Sequence, residues 1–204
     1  EYIVSQLDLA ADSLRPQAEV ISTSYGRITK EAAMAVKAKV LLLAASPLYN
    51  GQNVDPSSDL TGYSGFDKNR WQLAADAARK IIDLGYYKLM PSFSSVFTTQ
   101  TQPVGANTEN IFWRQVGNNQ DVEKTNAPVG YTTAGGSGRT SPSENLVEAF
   151  PMTNGLAISD QNSGFNENDP YLNRDPRLAA TVFYNDQSWV NRHVELFDGG
   201  LDRP

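Results

Sequence analysis

The run Lys30-Glu31-Ala32-Ala33-Met34-Ala35-Val36-Lys37-Ala38-Lys39-Val40-Leu41-Leu42-Leu43-Ala44-Ala45 constrains this chain more than any other feature. It contains no glycine or proline and is dominated by Ala, Leu, Met and Lys, which lose little freedom in a helix. Thr29 stands where an N-cap hydroxyl can accept an orphan backbone N–H. Pro47, and then Asn50-Gly51, end the run. The spacing predicts a helix over 30–45. Its small residues Ala32, Ala33, Ala35, Ala38, Ala44 and Ala45 let other helices approach closely, so the fold must supply helical neighbours.

Two candidates lie on either side. Over 2–14, Ile3, Leu7, Ala10, Ala11 and Leu14 recur at three- and four-residue steps and form one apolar stripe, after which Pro16 blocks continuation. Over about 67–84, Trp71, Ala74, Ala75, Ala78, Ile81 and Ile82 form a second stripe with Trp71 expected in the core. Gly85 follows where a left-handed C-terminal cap would sit. The Trp-x-x-Ala-x-x-x-Ala texture is that of a tetratricopeptide helix, although no clean 34-residue period repeats. Residues 51–67, rich in Gly, Pro, Ser and Asp, read as a loop.

Beyond Gly85, Gly, Asn, Thr, Ser and Pro punctuate everything. Short strands are expected at Asn110–Val116, Arg177–Tyr184 and His193–Phe197. A long polar loop is expected over 117–143. Ser143 should cap a short helical turn that points Leu146, Val147 and Phe150 inward. The expected fold class is therefore mostly α: tetratricopeptide-like helix pairs with a loop-rich irregular region containing a few short strands. Residues 1–106 would form the helical scaffold and 107–204 the loop-rich ligand-binding portion, packed together as one domain.

Several function classes are excluded or disfavoured. The net charge of −6 over 204 residues argues against a nucleic-acid partner. The absence of cysteine excludes disulfides, thiolate metal sites and thiol nucleophiles within the chain. His193 is the sole histidine, and no Gly-x-Ser-x-Gly elbow accompanies it, so a serine triad has no support. Gly135-Gly136-Ser137-Gly138 lacks the lysine of a phosphate loop. The segment Asp160–Asp169 alternates oxygen-bearing side chains but has Phe165 where a calcium loop needs glycine and Tyr171 where it needs a glutamate, so a plain polar loop is expected. No cofactor is expected. No stretch is long and apolar enough for a membrane-spanning helix. Both ends read as cuts in a longer chain, since it starts at Glu1-Tyr2-Ile3 within a helical pattern and stops at Asp202-Arg203-Pro204.

Four stretches carry a family resemblance. The segment Arg27-Ile28-Thr29-Lys30-Glu31-Ala32-Ala33 through Leu42, with Ala45-Ser46-Pro47-Leu48-Tyr49-Asn50, resembles the most characteristic helix of the SusD/RagB family and its exit. Trp71-Gln72-Leu73-Ala74-Ala75-Asp76-Ala77-Ala78 with Gly85-Tyr86-Tyr87 resembles the next repeat helix. Ser141-Pro142-Ser143-Glu144-Asn145-Leu146-Val147-Glu148-Ala149-Phe150-Pro151-Met152-Thr153-Asn154-Gly155 and Tyr171-Leu172-Asn173-Arg174-Asp175-Pro176-Arg177-Leu178 resemble two further family blocks, in family order. The resemblance implies a non-catalytic nutrient-binding lipoprotein of the bacterial outer membrane. It would be anchored by lipid upstream of this chain and would pass oligosaccharides, or peptides in some members, to a TonB-dependent transporter barrel. A carbohydrate-active enzyme and a purely protein-binding helical scaffold are the alternatives.

Sugars are held by aromatic faces against the apolar side of the ring, with amides and guanidinium groups satisfying the hydroxyls. By residue type and loop position, Trp113, Asn118, Tyr131 and Arg139 are the expected ligand contacts. Trp113 could instead be core on a short strand, and Tyr131 an ordinary loop residue. Trp189, in a polar segment, is left open. Arg174-Asp175-Pro176-Arg177 is expected to be a structural turn with a local ion pair.

Overall fold

Thr29 opens the long helix as its position requires. Its hydroxyl accepts a hydrogen bond from the backbone N–H of Ala32 at 3.3 Å, and the helix runs over Lys30–Ala45. A computed structural model of the chain describes residues 1–99, 106–114, 117, 119–131 and 136–203. In chain order its helices are α1 (Tyr2–Ser13), α2 (Lys30–Ala45), α3 (Asn69–Asp83), α4 (Phe93–Thr98), α5 (Asp121–Asn126), α6 (Glu144–Ala149) and α7 (Pro176–Thr181). Single 3-10 turns lie at Gln17–Glu19 and Ser22–Ser24. Two-residue strands β1 (Ser188–Trp189) and β2 (Arg192–His193) pair antiparallel. The fold is mostly α among the described residues. The chain divides into two compact units, Glu1–Gln115 and Val116–Pro204.

In the first unit α2 packs against both α1 and α3. The contact is built on small residues: Ala11, Ala32, Ala33, Ala45, Ala74, Ala77 and Ile81 are buried. Alanine at these positions costs no side-chain entropy and permits the close approach that the sequence called for. Two polar side chains pin the connections. Glu31, buried in the first turn of α2, accepts the backbone N–H of Gln17 at 2.9 Å and so ties the α1–α2 link to the helix start. Asn50 pairs with the backbone of Asp67 in both directions, at 2.9 and 3.0 Å, and accepts from the Arg70 guanidinium at 2.6 Å. One buried amide thereby fixes both ends of the 51–67 loop. Tyr87 is half-buried with its hydroxyl sequestered. Burial first, then the nearby Glu31 carboxylate, pushes its phenol well above the ordinary value.

The second unit centres on Val147, Leu178 and Val182, with Phe150 packed against them. Arg174 serves this core from within. Its guanidinium donates to the carbonyl oxygens of Val147 (2.6 Å), Phe150 (2.8 Å) and Pro170 (2.8 Å), closing off the open C-terminal end of α6.

Several local expectations differ from the structure. The segment Arg177–Tyr184 is not a strand. Asp175 caps a helix whose first residue is Pro176; Leu178 on this helix and Val182 at its C-cap both enter the core. Asp-Pro here is an N-cap followed by the favoured first helical residue, and that start signal overrides the β-branched composition. The segment 110–114 is not a strand either, and 115–116 lie outside the described residues. The polar segment 117–143 contains α5. Helix α4 was not expected; Ser92 and Ser95 form its reciprocal cap. His193–Phe197 contributes only His193 to a strand. Trp71 is 41% exposed, beside a surface recess of about 290 Å³ that it shares with Leu42, Ala74 and Ala78. On α3 the inward positions are Ala74, Ala77 and Ile81, which rotates the buried stripe away from Trp71 and Ile82. Ile3 and Leu146 are likewise exposed.

Candidate ligand-binding site

The four residues expected to contact ligand fall into different settings. Trp113 belongs to the first unit. It is half-buried, with the Tyr25 ring set against it edge-on at 5.1 Å. Its indole N–H is buried without a hydrogen-bond partner among the described residues. The adjoining crevice, about 10 Å³, has room for a water and nothing larger. Asn118 lies outside the described residues. Arg139 is exposed in the second unit, with its backbone N–H donating to the Thr125 carbonyl at 3.1 Å.

Tyr131 sits in a connected polar arrangement of the second unit. Its hydroxyl donates to the backbone carbonyl of Trp189 at 2.9 Å and is 3.3 Å from that of Arg192. The Arg192 guanidinium covers the Tyr131 ring, 4.0 Å from its centroid. Arg192 is gripped from its other side by Asp202 through two bonds of 2.6 and 2.7 Å, the side-by-side geometry that suits guanidinium and carboxylate. The Asp202 carboxylate is fully enclosed and also accepts the backbone N–H groups of Glu195 (2.9 Å) and Gly130 (3.1 Å). Hydrogen bonding from Arg192, opposed by burial and aided by those two N–H groups, holds its pKa below the ordinary carboxylate value. Gly130 is needed for this closure, because a Cβ there would lie 2.5 Å from both the Asp202 Oδ1 and the Leu201 carbonyl oxygen.

This clamp holds the hairpin formed by β1 and β2. Trp189 and Arg192 are directly opposed in register, so their side chains share one face of the ribbon. The Trp189 indole meets Phe183 at a steep 63° and stays 37% exposed. Beyond it Val190 has φ 55°, a left-handed conformation that a β-branched residue rarely adopts. On the other face His193 Nδ1 lies 2.7 Å from the Asp186 carbonyl oxygen. Elsewhere in the unit, Tyr171 and Tyr184 stack nearly parallel with centroids 4.2 Å apart.

The expected Arg174–Arg177 turn is present in part. Asp175 and Arg177 form the local ion pair, with Arg177 Nε 2.9 Å from Asp175 Oδ1, while Arg174 is committed to three carbonyls. Hydrogen bonds from the Arg177 side chain and backbone lower Asp175 to about 2. Among the described residues no group of three or more His, Cys, Asp or Glu side chains is arranged to hold a metal ion. Sequence reasoning left Trp189 undecided and missed the roles of Arg192 and Asp202. The opposition of Trp189 and Arg192 depends on a two-residue turn at Val190-Asn191 with no glycine to announce it.

The first unit is thus built of helices packed on alanine contacts, and the second is loop-rich with aromatic and guanidinium groups set together. Residues 95–200 match the SusD family model, which spans just over half of the chain, and the chain belongs to that family. Two solved structures are similar to it, both from Bacteroides fragilis NCTC 9343. One is a SusD-like carbohydrate binding protein, 19% identical with a TM-score of 0.65, matched over 91% of this chain and 31% of its own length. The other is a SusD-like protein, 21% identical with a TM-score of 0.67, matched over 98% of this chain and 39% of its own. This chain thus spans about a third of the length of those proteins, and at such identity the likeness concerns the fold. No curated protein matches it.

Proposed function

We propose that the chain is part of a non-catalytic protein that captures oligosaccharides at a bacterial cell surface. It would deliver them to a TonB-dependent barrel in the outer membrane, with attachment through a lipid anchor outside these residues. The observation that carries this reading is the SusD family match over 95–200, a span that takes in most of the unit bearing the Tyr131–Arg192–Trp189 arrangement. The carbohydrate-binding description of one structural relative supports the ligand class. Arg139, exposed beside the aromatic arrangement in sequence, and Asn118 remain proposed polar contacts. Tyr131 remains a proposed part of the site through its contacts with Trp189 and Arg192. Trp113 is assigned to packing with Tyr25.

A second reading concerns the helical unit. Val36, Leu42, Leu43 and Leu73 are exposed large apolar residues on α2 and α3, and exposed apolar side chains of this kind favour a protein contact. This role is compatible with glycan capture by the other unit.

The test is binding of the 204-residue chain to an immobilised panel of plant, fungal and host oligosaccharides, with analysis of the solution for cleavage products. Retention of one glycan class without products is the expected result. Products would overturn the non-catalytic reading, and retention of no glycan would overturn glycan capture by these residues.

A further inference from the structure

We infer that Trp189 is the sugar-stacking platform of the second unit and that Tyr131 acts as its positioning residue; this rests on the glycan-capture reading above. Three observations converge on the hairpin tip.

The first is the exposed indole. More than a third of Trp189 is open to solvent although the Phe183 ring lies within 4.7 Å of it. The steep angle between the two rings means that Phe183 is not laid flat over the indole. A pyranose ring presents a flat patch of C–H groups bounded by hydroxyls, and an indole face with polar neighbours is the surface that suits it. Arg192 on the same ribbon face, and the Tyr131 ring beneath its guanidinium, provide those neighbours.

The second is the rigidity of the support. A platform must not pay for ordering when the ligand arrives. The backbone on both sides of the turn is tied to one hydroxyl: Tyr131 Oη reaches the carbonyl oxygens of Trp189 and Arg192. Asp202 locks Arg192, and Gly130 admits Asp202. The side chain of Tyr131 therefore acts through Trp189 more than on the ligand.

The third is strain. Val190 is 81% exposed and held at φ 55°, where glycine would be free of the steric cost. Nothing in the packing of so exposed a side chain demands valine. Local strain of this kind concentrates at ligand clamps, where the turn fixes the direction of the adjacent side chain.

The experiment uses the 204-residue chain and the panel member it retains, with maltoheptaose, xylohexaose, cellohexaose and mannohexaose as the soluble probes. Intrinsic fluorescence separates the three tryptophans. Wild type should show a saturable change on titration. Trp189→Phe should abolish that change while leaving the signals of Trp71 and Trp113 in place. Trp189→Ala should weaken binding by about tenfold or more, with melting retained within about 3 °C. Tyr131→Phe should weaken binding by a smaller factor, and Trp113→Phe should leave both affinity and the fluorescence change intact. Wild-type affinity in Trp189→Ala, or a fluorescence change that persists in Trp189→Phe, would overturn the platform while leaving glycan capture standing. Unfolding of both Trp189 variants would assign the residue to the core and overturn it too. If wild type itself binds none of the sugars, the capture reading fails first and the platform with it.

Discussion

The Tyr131 hydroxyl donates a 2.9 Å hydrogen bond to the backbone carbonyl of Trp189, two residues 58 positions apart that fix the geometry of the hairpin. Removing that donor leaves a carbonyl to find water at the turn. Tyr131→Phe should therefore cost about 1 kcal/mol, read as a small fall in the midpoint of chemical denaturation with an unchanged slope. An unchanged midpoint would mean that the hydroxyl does not hold the turn.

Gly130 tests the same clamp from its other end. A methyl group there would collide with Asp202 and with the Leu201 carbonyl, both at 2.5 Å, and neither is a flexible side-chain end free to move aside. Gly130→Ala should destabilise the unit by about 1–3 kcal/mol. Amide hydrogen exchange of residues 188–195 should accelerate more than that of α2. Exchange rates that rise equally throughout would show that the clamp is not local.

Acid should loosen this unit in a definite direction. Asp175 is lowered to about 2 by hydrogen bonds from Arg177, and Asp202 is lowered chiefly by hydrogen bonding from Arg192, both from an ordinary value of 3.8. A carboxyl whose folded pKa is depressed binds fewer protons in the folded state than in the unfolded one. Its contribution is complete above about pH 4 and is lost as pH falls through the folded value. The melting temperature should accordingly decline between about pH 4 and pH 2, and Asp202→Asn should flatten part of that decline. A profile identical in wild type and variant would contradict the assignment.

Arg174 is a structural residue, and its substitution should be severe. The side chain is 7% exposed and satisfies three carbonyls around α6. Arg174→Ala would strand those acceptors beside a cavity, for an expected loss of about 3 kcal/mol or more. Arg174→Lys should recover little, because one ammonium group cannot reach oxygens that a planar fork spans. A melting temperature close to wild type for either variant would count against this role.

The helical half was legible because its signals are local. Thr29, the alanines of α2, Pro47 and the left-handed Gly85 at φ 65° each act within a turn or two of the backbone they govern. The orientation of α3 was less legible. Trp71 and Ala74 fit an inward stripe equally well on paper, and only the packing against α2 selects Ala74, Ala77 and Ile81. In the second unit the determinants are distant. Asp202 reaches back 72 positions to Gly130, and Tyr131 reaches forward to the hairpin, so no window of sequence contains the arrangement. The strand expected over 177–184 gives way to a helix through Thr181 because the Asp175-Pro176 start signal outweighs the β-branched composition. For the site, Tyr131 stands out in the sequence by its ring. Its hydroxyl, which sets the Trp189 backbone, carried no sign of that duty in the sequence.

The most direct measurement is equilibrium binding of the chain to a retained oligosaccharide, followed by recovery and mass analysis of the sugar after prolonged incubation. The account predicts saturable binding with the oligosaccharide recovered at its original length. Shortened products would make the protein an enzyme, and the absence of saturable binding to any member of a broad panel would contradict glycan capture by these residues.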